Sequence, residues 1–164
     1  DFKYHEYEAF FIDEFGKERV RNTPICESAI VSAAMGLSIN GYKAIMEMQF
    51  ADFVSSGFNP IVNYLAKVHY RWGQAADVVV RMPTGAGVGA GPFHSQSNEA
   101  WFTHTPGLKI VYPAFPADAK GLLAAYKSFS VRKLNKVVLP ALVYPTKATT
   151  ISFPFRLAYR FTSF

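Results

Sequence analysis

The chain has 164 residues, half of them hydrophobic and 16% aromatic, which excludes a disordered segment and sets one domain as the expectation. The net charge of +5 hides an asymmetry, because residues 1–118 hold all 12 acidic and 9 of the 17 basic residues, while residues 119–164 hold 8 basic residues and no acid. Those basic residues are scattered among prolines and aromatics rather than clustered, and no apolar run approaches the ~18 residues of a membrane span, so neither a nucleic-acid nor a membrane partner is expected.

In chain order, Phe2 to Phe15 predicts a helix, with Gly16 as its C-cap. The polar, aromatic start Asp1-Phe2-Lys3-Tyr4 is no signal peptide and has no methionine, so a fragment is expected. Glu18 to Asn22 reads as a short strand or extended segment leading to Pro24, which suits a first helical position. Ser28 to Ile39, rich in small residues, is a helix closed by Asn40-Gly41. Tyr42 to Phe50 is a strand, Asp52 to Phe58 a loop or short helix, and Pro60 to Arg71 an amphipathic helix ending at Gly73. Asp77 to Met82 is a nearly unbroken apolar run, as in a strand buried on both faces of a parallel sheet. A glycine-rich loop from Pro83 to Pro92 follows, then a short helix over Ser97 to Thr103. Leu108 to Tyr112 is a strand, Pro116 to Phe129 a helix, and Val137 to Tyr144 a last strand broken by Pro140. The alternation predicts an α/β fold: a mainly parallel sheet with helices on both faces. The domain is expected over residues 1–147, with a linker or irregular tail over 148–164.

Glu27 is the first chemical candidate. In the first turn of a helix it favours the helix dipole, which by itself is a structural role. The glycine loop does not match a dinucleotide fingerprint. Gly85, Gly87, Gly89 and Gly91 recur every second residue, and no acid lies some twenty positions on. It does follow the C-terminal end of an apolar strand, where open α/β sheets place ligands, and it delivers His94, Ser95 and Gln96. No His/Cys/Asp spacing fits a metal site. Cys26 is the only cysteine, which precludes an internal disulfide and fits a reducing, cytoplasmic compartment. Activation of Cys26 by His94 is the competing nucleophilic reading. A buried, inert thiol is the bland one.

Six stretches carry a resemblance: Arg21–Glu27 (RNTPICE), Glu47–Phe53 (EMQFADF), Ile61–Lys67 (IVNYLAK), His94–Gln96 (HSQ), Pro106–Leu108 (PGL) and Asp118–Leu123 (DAKGLL). In this order they resemble the pyrimidine-binding domain of the β subunit of thiamine-diphosphate-dependent 2-oxo acid dehydrogenases. The run Gln49-Phe50-Ala51-Asp52-Phe53 is most like the branched-chain type. The resemblance covers about residues 10–125. It implies oxidative decarboxylation of a 2-oxo acid with acyl transfer to lipoamide. Glu27 matches the family glutamate that hydrogen-bonds the cofactor's pyrimidine nitrogen. Phe53 falls at the stacking position, with Phe50 and Gln49 close by. His94 matches the family histidine near the reacting carbon, and Ser95 and Gln96 fall on the same substrate side.

The resemblance also implies partners: a diphosphate-binding α subunit or domain, a second β subunit, and a lipoyl-bearing acyltransferase. Magnesium would be held by the diphosphate-binding partner, because the 164 residues contain no Gly-Asp-Gly…Asn segment. Other departures are Asn59-Pro60 where the family has Asp-Gln, the absence of the family's first strand before Asp1, and altered sequence over Ser128 to Leu139. The last falls in the family's potassium region, so that site is not carried over. The alternatives are a transketolase-like or acetoin-cleaving enzyme domain, and a non-catalytic interaction domain of the same fold.

Overall fold

The computed structural model describes residues 4–128 and 137–142. Four strands form one sheet in the order β1-β2-β4-β3: β1 is Ala44–Glu47, β2 Val78–Thr84, β3 Lys109–Ile110 and β4 Val137–Leu142. Every pairing among them is parallel. Five α-helices accompany them among the described residues: α1 Tyr4–Phe15, α2 Glu27–Ile39, α3 Val68–Trp72, α4 Ala100–Thr103 and α5 Pro116–Ser128. The fold is therefore the expected α/β arrangement.

Strand alternation divides the core. Ala44 and Met46 of β1, and Val78, Val80 and Met82 of β2, join Ile30, Val31 and Ala34 of α2 and the fully buried Phe102 of α4. Ile45 and Val79 point the other way, toward Val111 and the Leu122 and Leu123 side chains of α5. Both faces of the central strand are thus covered, which is why β2 reads as a continuous apolar run.

Several sequence expectations change. Of the strand or extended segment expected over Glu18 to Asn22, residues 18–20 lie in a turn, because Arg19 and Val20 both donate backbone N–H groups to the Gly16 carbonyl at 3.0 and 3.1 Å, and residues 21–22 carry no strand pairing. Pro24 precedes α2 instead of opening it: Cys26 is the N-cap and Glu27 the first helical residue. The strand expected over Tyr42 to Phe50 narrows to four residues. Pro140 does not break its strand, since β4 runs through it opposite Met82 of β2. The helix expected from Pro60 to Arg71 is two pieces, a π-helical turn over Pro60–Leu65 and then α3. The backbone widens where Ala66 N–H reaches Ile61 and tightens where Lys67 N–H reaches Tyr64. The turn at Gly107 sits against that junction. Gly107 has φ +92, and a Cβ there would lie 2.1 Å from the Ala66 carbonyl oxygen. The tail expected over 148–164, its boundary at 147, and the ends of the expected strand and helix at Tyr144 and Phe129 lie outside the described residues.

Candidate functional site

Glu27 is held by its place in the chain and by a close neighbour. At the first position of α2 it is only 7% exposed. The turn that covers it runs through Ala51–Ser55 in 3₁₀ geometry and ends at Ser56-Gly57. Gly57 lets that turn approach: a Cβ there would stand 3.4 Å from the Glu27 Cβ and 3.2 Å from the Met48 Cε. Ser28 Oγ donates to the Ser56 carbonyl at 2.6 Å and ties the turn to α2. Ser56 Oγ lies 2.7 Å from Glu27 Oε2, the one hydrogen bond the Glu27 carboxylate makes among the described residues. Glu27 is thus a buried carboxylate with one oxygen engaged.

The same turn carries an aromatic cluster. Phe50 and Phe53 meet edge to face at 5.8 Å between ring centroids, and His94 packs edge to face on both, at 5.3 and 5.4 Å. Phe50 and Phe53 come from the segment after β1, and His94 from the glycine loop after β2. The site therefore sits beyond the C-terminal ends of two neighbouring parallel strands, where open α/β sheets place ligands. Gln49, half-buried, leads into this segment.

The glycine loop is anchored at its far end. The Gln96 carbonyl accepts from Thr84 Oγ1 at 2.7 Å and from Gly85 N–H at 3.4 Å, so the loop closes on its own start. Asp52 Oδ1 accepts from Gln96 twice, from the backbone N–H at 3.2 Å and from the side-chain amide at 2.9 Å. Asn98 donates to the Ala51 carbonyl at 3.0 Å. These bonds fix the loop against the aromatic turn and hold His94 over the two phenyl rings. Ser95 Oγ accepts from Ala90 N–H at 3.1 Å and braces the loop from within. The side chain of Gln96, an exposed residue, is therefore engaged by Asp52 and anchors the loop.

Residues 3–141 match the transketolase pyrimidine-binding domain family. The chain belongs to that family. The pyrimidine-binding domain is 45% identical over 137 residues to the mitochondrial 2-oxoisovalerate dehydrogenase subunit beta of Dictyostelium discoideum, covering 80% of this chain and 36% of the relative. It is 49% identical over 117 residues to 2-oxoisovalerate dehydrogenase subunit beta of Bacillus subtilis, covering 69% and 35%. It is 41% identical over 127 residues to the pyruvate dehydrogenase E1 component subunit beta of Staphylococcus aureus, covering 76% and 38%. The chain thus spans little more than a third of the length of these relatives.

Within the pyrimidine-binding domain, the structure brings Phe50, Phe53 and His94 into one cluster and links Glu27 to the Phe53 turn through Ser56. Cys26 is exposed, against the expectation of a buried thiol. Sequence reasoning gave no role to Asp52, Ser56 or Gly57. Asp52 stood inside a quoted motif, and the Ser-Ser-Gly run signalled only a turn. Their partners lie 29 and 44 residues away, a separation that no local pattern records. A shallow apolar concavity of about 390 Å³ opens elsewhere, between Ser55, Phe58, Trp101 and His104. Beside the loop's exit, burial and then the Glu99 carboxylate push the Tyr112 phenol above its usual value, while a hydrogen bond with Ser97 opposes them.

Proposed function

We propose that this domain supplies the pyrimidine side of the cofactor site in a thiamine-diphosphate-dependent 2-oxo acid dehydrogenase of branched-chain type. The observation that carries the reading is the buried Glu27 carboxylate, held through one oxygen by the turn that also presents Phe53. Thiamine diphosphate, when bound, would supply a nucleophilic thiazolium carbon for attack on the 2-oxo group and for acyl transfer to a lipoyl group. The residues fit the pyrimidine end. Glu27 would share a proton with the ring nitrogen from a site screened from bulk water, and Phe53 would offer a face for stacking, with Phe50 and Gln49 beside it. His94, fixed on both phenyl rings, would orient the 2-oxo acid and move protons during acyl transfer, with Ser95 beside it and Gln96 anchoring the loop. The names of the relatives as 2-oxoisovalerate and pyruvate dehydrogenase β subunits support the substrate class.

The diphosphate and its magnesium would be held by an α subunit or domain. A second β subunit and a lipoyl-bearing acyltransferase would complete the assembly. The compartment would be a reducing one, the cytoplasm or, as the name of the Dictyostelium discoideum relative says, the mitochondrion. No helix among the described residues is long and apolar enough to cross a membrane.

Titration calorimetry tests the division of labour. The chain alone, with magnesium present, should bind thiamine diphosphate weakly or not at all, because much of the binding energy should come from charge and coordination at the diphosphate. Adding a diphosphate-binding partner subunit should bring tight binding. Sub-micromolar binding by the chain alone would overturn the assignment of this half of the site.

A further inference from the structure

The hydroxyl beside Glu27 has more acceptors than it has hydrogens. Ser56 Oγ lies 2.7 Å from Glu27 Oε2 and 3.0 Å from the Phe53 carbonyl oxygen. A serine hydroxyl carries a single hydrogen, so it donates fully to one of them or divides a weaker three-centre bond between both. Two full hydrogen bonds form there together only when Glu27 carries a proton on Oε2 and donates it to Ser56 Oγ. We propose that Ser56 is the proton partner of Glu27, a hydroxyl that turns between donating to the carboxylate and accepting from the carboxyl.

With Glu27 ionised, the hydroxyl points at Oε2, since a bond to a charged acceptor is the stronger one. With Glu27 protonated, the carboxyl O–H points at Ser56 Oγ, and the serine hydrogen turns to the Phe53 carbonyl. That carbonyl also accepts the Ser56 backbone N–H at 3.3 Å, so it is never left without a donor. Serine keeps its own hydrogen throughout. The only proton that changes place is the one on Glu27, which is exchanged with water or a ligand at the open carboxyl oxygen and reaches Ser56 by a half-turn of the carboxyl about its Cγ–Cδ bond.

The frame needed for such a turn is present. Ser28 Oγ fixes the Ser56 carbonyl at 2.6 Å, and Gly57 brings the turn within van der Waals reach of Glu27. Glu27 Oε2 is thus occupied in either protonation state, and Oε1 is left for a ligand. The inference rests on the proposed role of Glu27 for its meaning in catalysis, and Ser56 acts in it as a positioning residue that does not touch the cofactor.

The test is a carbon-13 NMR titration of the full chain without cofactor. In the wild type, the Phe53 backbone carbonyl signal should move with pH and share the midpoint of the Glu27 side-chain carboxyl. In Ser56→Ala, the Phe53 response should vanish, because the hydroxyl that couples it to Glu27 is gone. Ser56→Thr, which keeps a hydroxyl, should restore it. A Phe53 carbonyl that stays constant while Glu27 titrates in the wild type would overturn the proposal, and that result needs no variant to fold. A Phe53 response that persists in a folded Ser56→Ala chain would overturn it as well. The cofactor reading fails separately. A shared midpoint, together with unimpaired cofactor chemistry in Glu27→Gln, would keep the proton partnership and remove the catalytic role.

Discussion

Asp52 shows how one side chain can set the geometry of a loop it does not belong to. One carboxylate oxygen accepts two hydrogen bonds from Gln96, while the other is buried with no partner among the described residues. Asp52→Ala removes both hydrogen bonds to Gln96 and should lower stability by about 1–3 kcal/mol, measured by urea unfolding. Asp52→Asn keeps an acceptor oxygen and removes the unpartnered charge, so it should cost less than Asp52→Ala. If the two variants unfolded at the same midpoint, the double hydrogen bond would not be what holds the loop. Tyr112 gives a pH signature of its own. Its folded value is raised, chiefly by burial and next by Glu99, so the unfolded chain loses the phenol proton first as pH rises. The contribution is complete below the ordinary tyrosine value near 10 and is lost as pH climbs through the raised folded value. Tyr112→Phe should remove that part of the alkaline decline in a melt-versus-pH series, and an unchanged slope would contradict the assignment.

At the scale of elements, the break between the π-helical turn and α3 is the feature most sensitive to a single methyl group. Gly107→Ala would combine a positive φ with a collision against the Ala66 carbonyl, a backbone atom that cannot swing aside. The expected loss is at least about 2 kcal/mol, read from chemical denaturation. A loss below ~0.5 kcal/mol would mean that the turn relaxes. This position also marks the limit of what the sequence displayed. The apolar run Val78-Val79-Val80 and the small-residue helix announced the parallel sheet and its cover, because burial on both faces leaves a compositional trace. The helix break left none, because it answers to a turn 41 residues further along the chain. Pro140 misled for a related reason. A proline in a strand usually marks an edge or a bulge, yet β4 pairs through it on both sides of Met82. At the site, Glu27, Phe53 and His94 were legible through motifs and their order. Ser56, Gly57 and Asp52 were not, because their importance lies in contacts between distant segments.

For the whole molecule, the sheet brings two loops, one after β1 and one after β2, to the end where α2 begins with Glu27. Glu27 is proposed to do the acid–base work on the cofactor, and His94 to handle the substrate. His94→Ala should therefore impair 2-oxo acid turnover more than proton exchange at the cofactor, as measured by paired assays on the assembled enzyme. The central claim is tested most directly by hydrogen–deuterium exchange at the thiazolium carbon of bound thiamine diphosphate, in enzyme assembled from Glu27→Gln and its diphosphate-binding partner. The substitution is nearly isosteric, so the melting temperature should hold within a few degrees. Exchange should slow by about 10²–10⁴-fold, because an amide cannot pass the proton. Exchange within a few-fold of the wild type, with cofactor bound, would contradict the account and leave Glu27 as an acid that only favours the start of its helix.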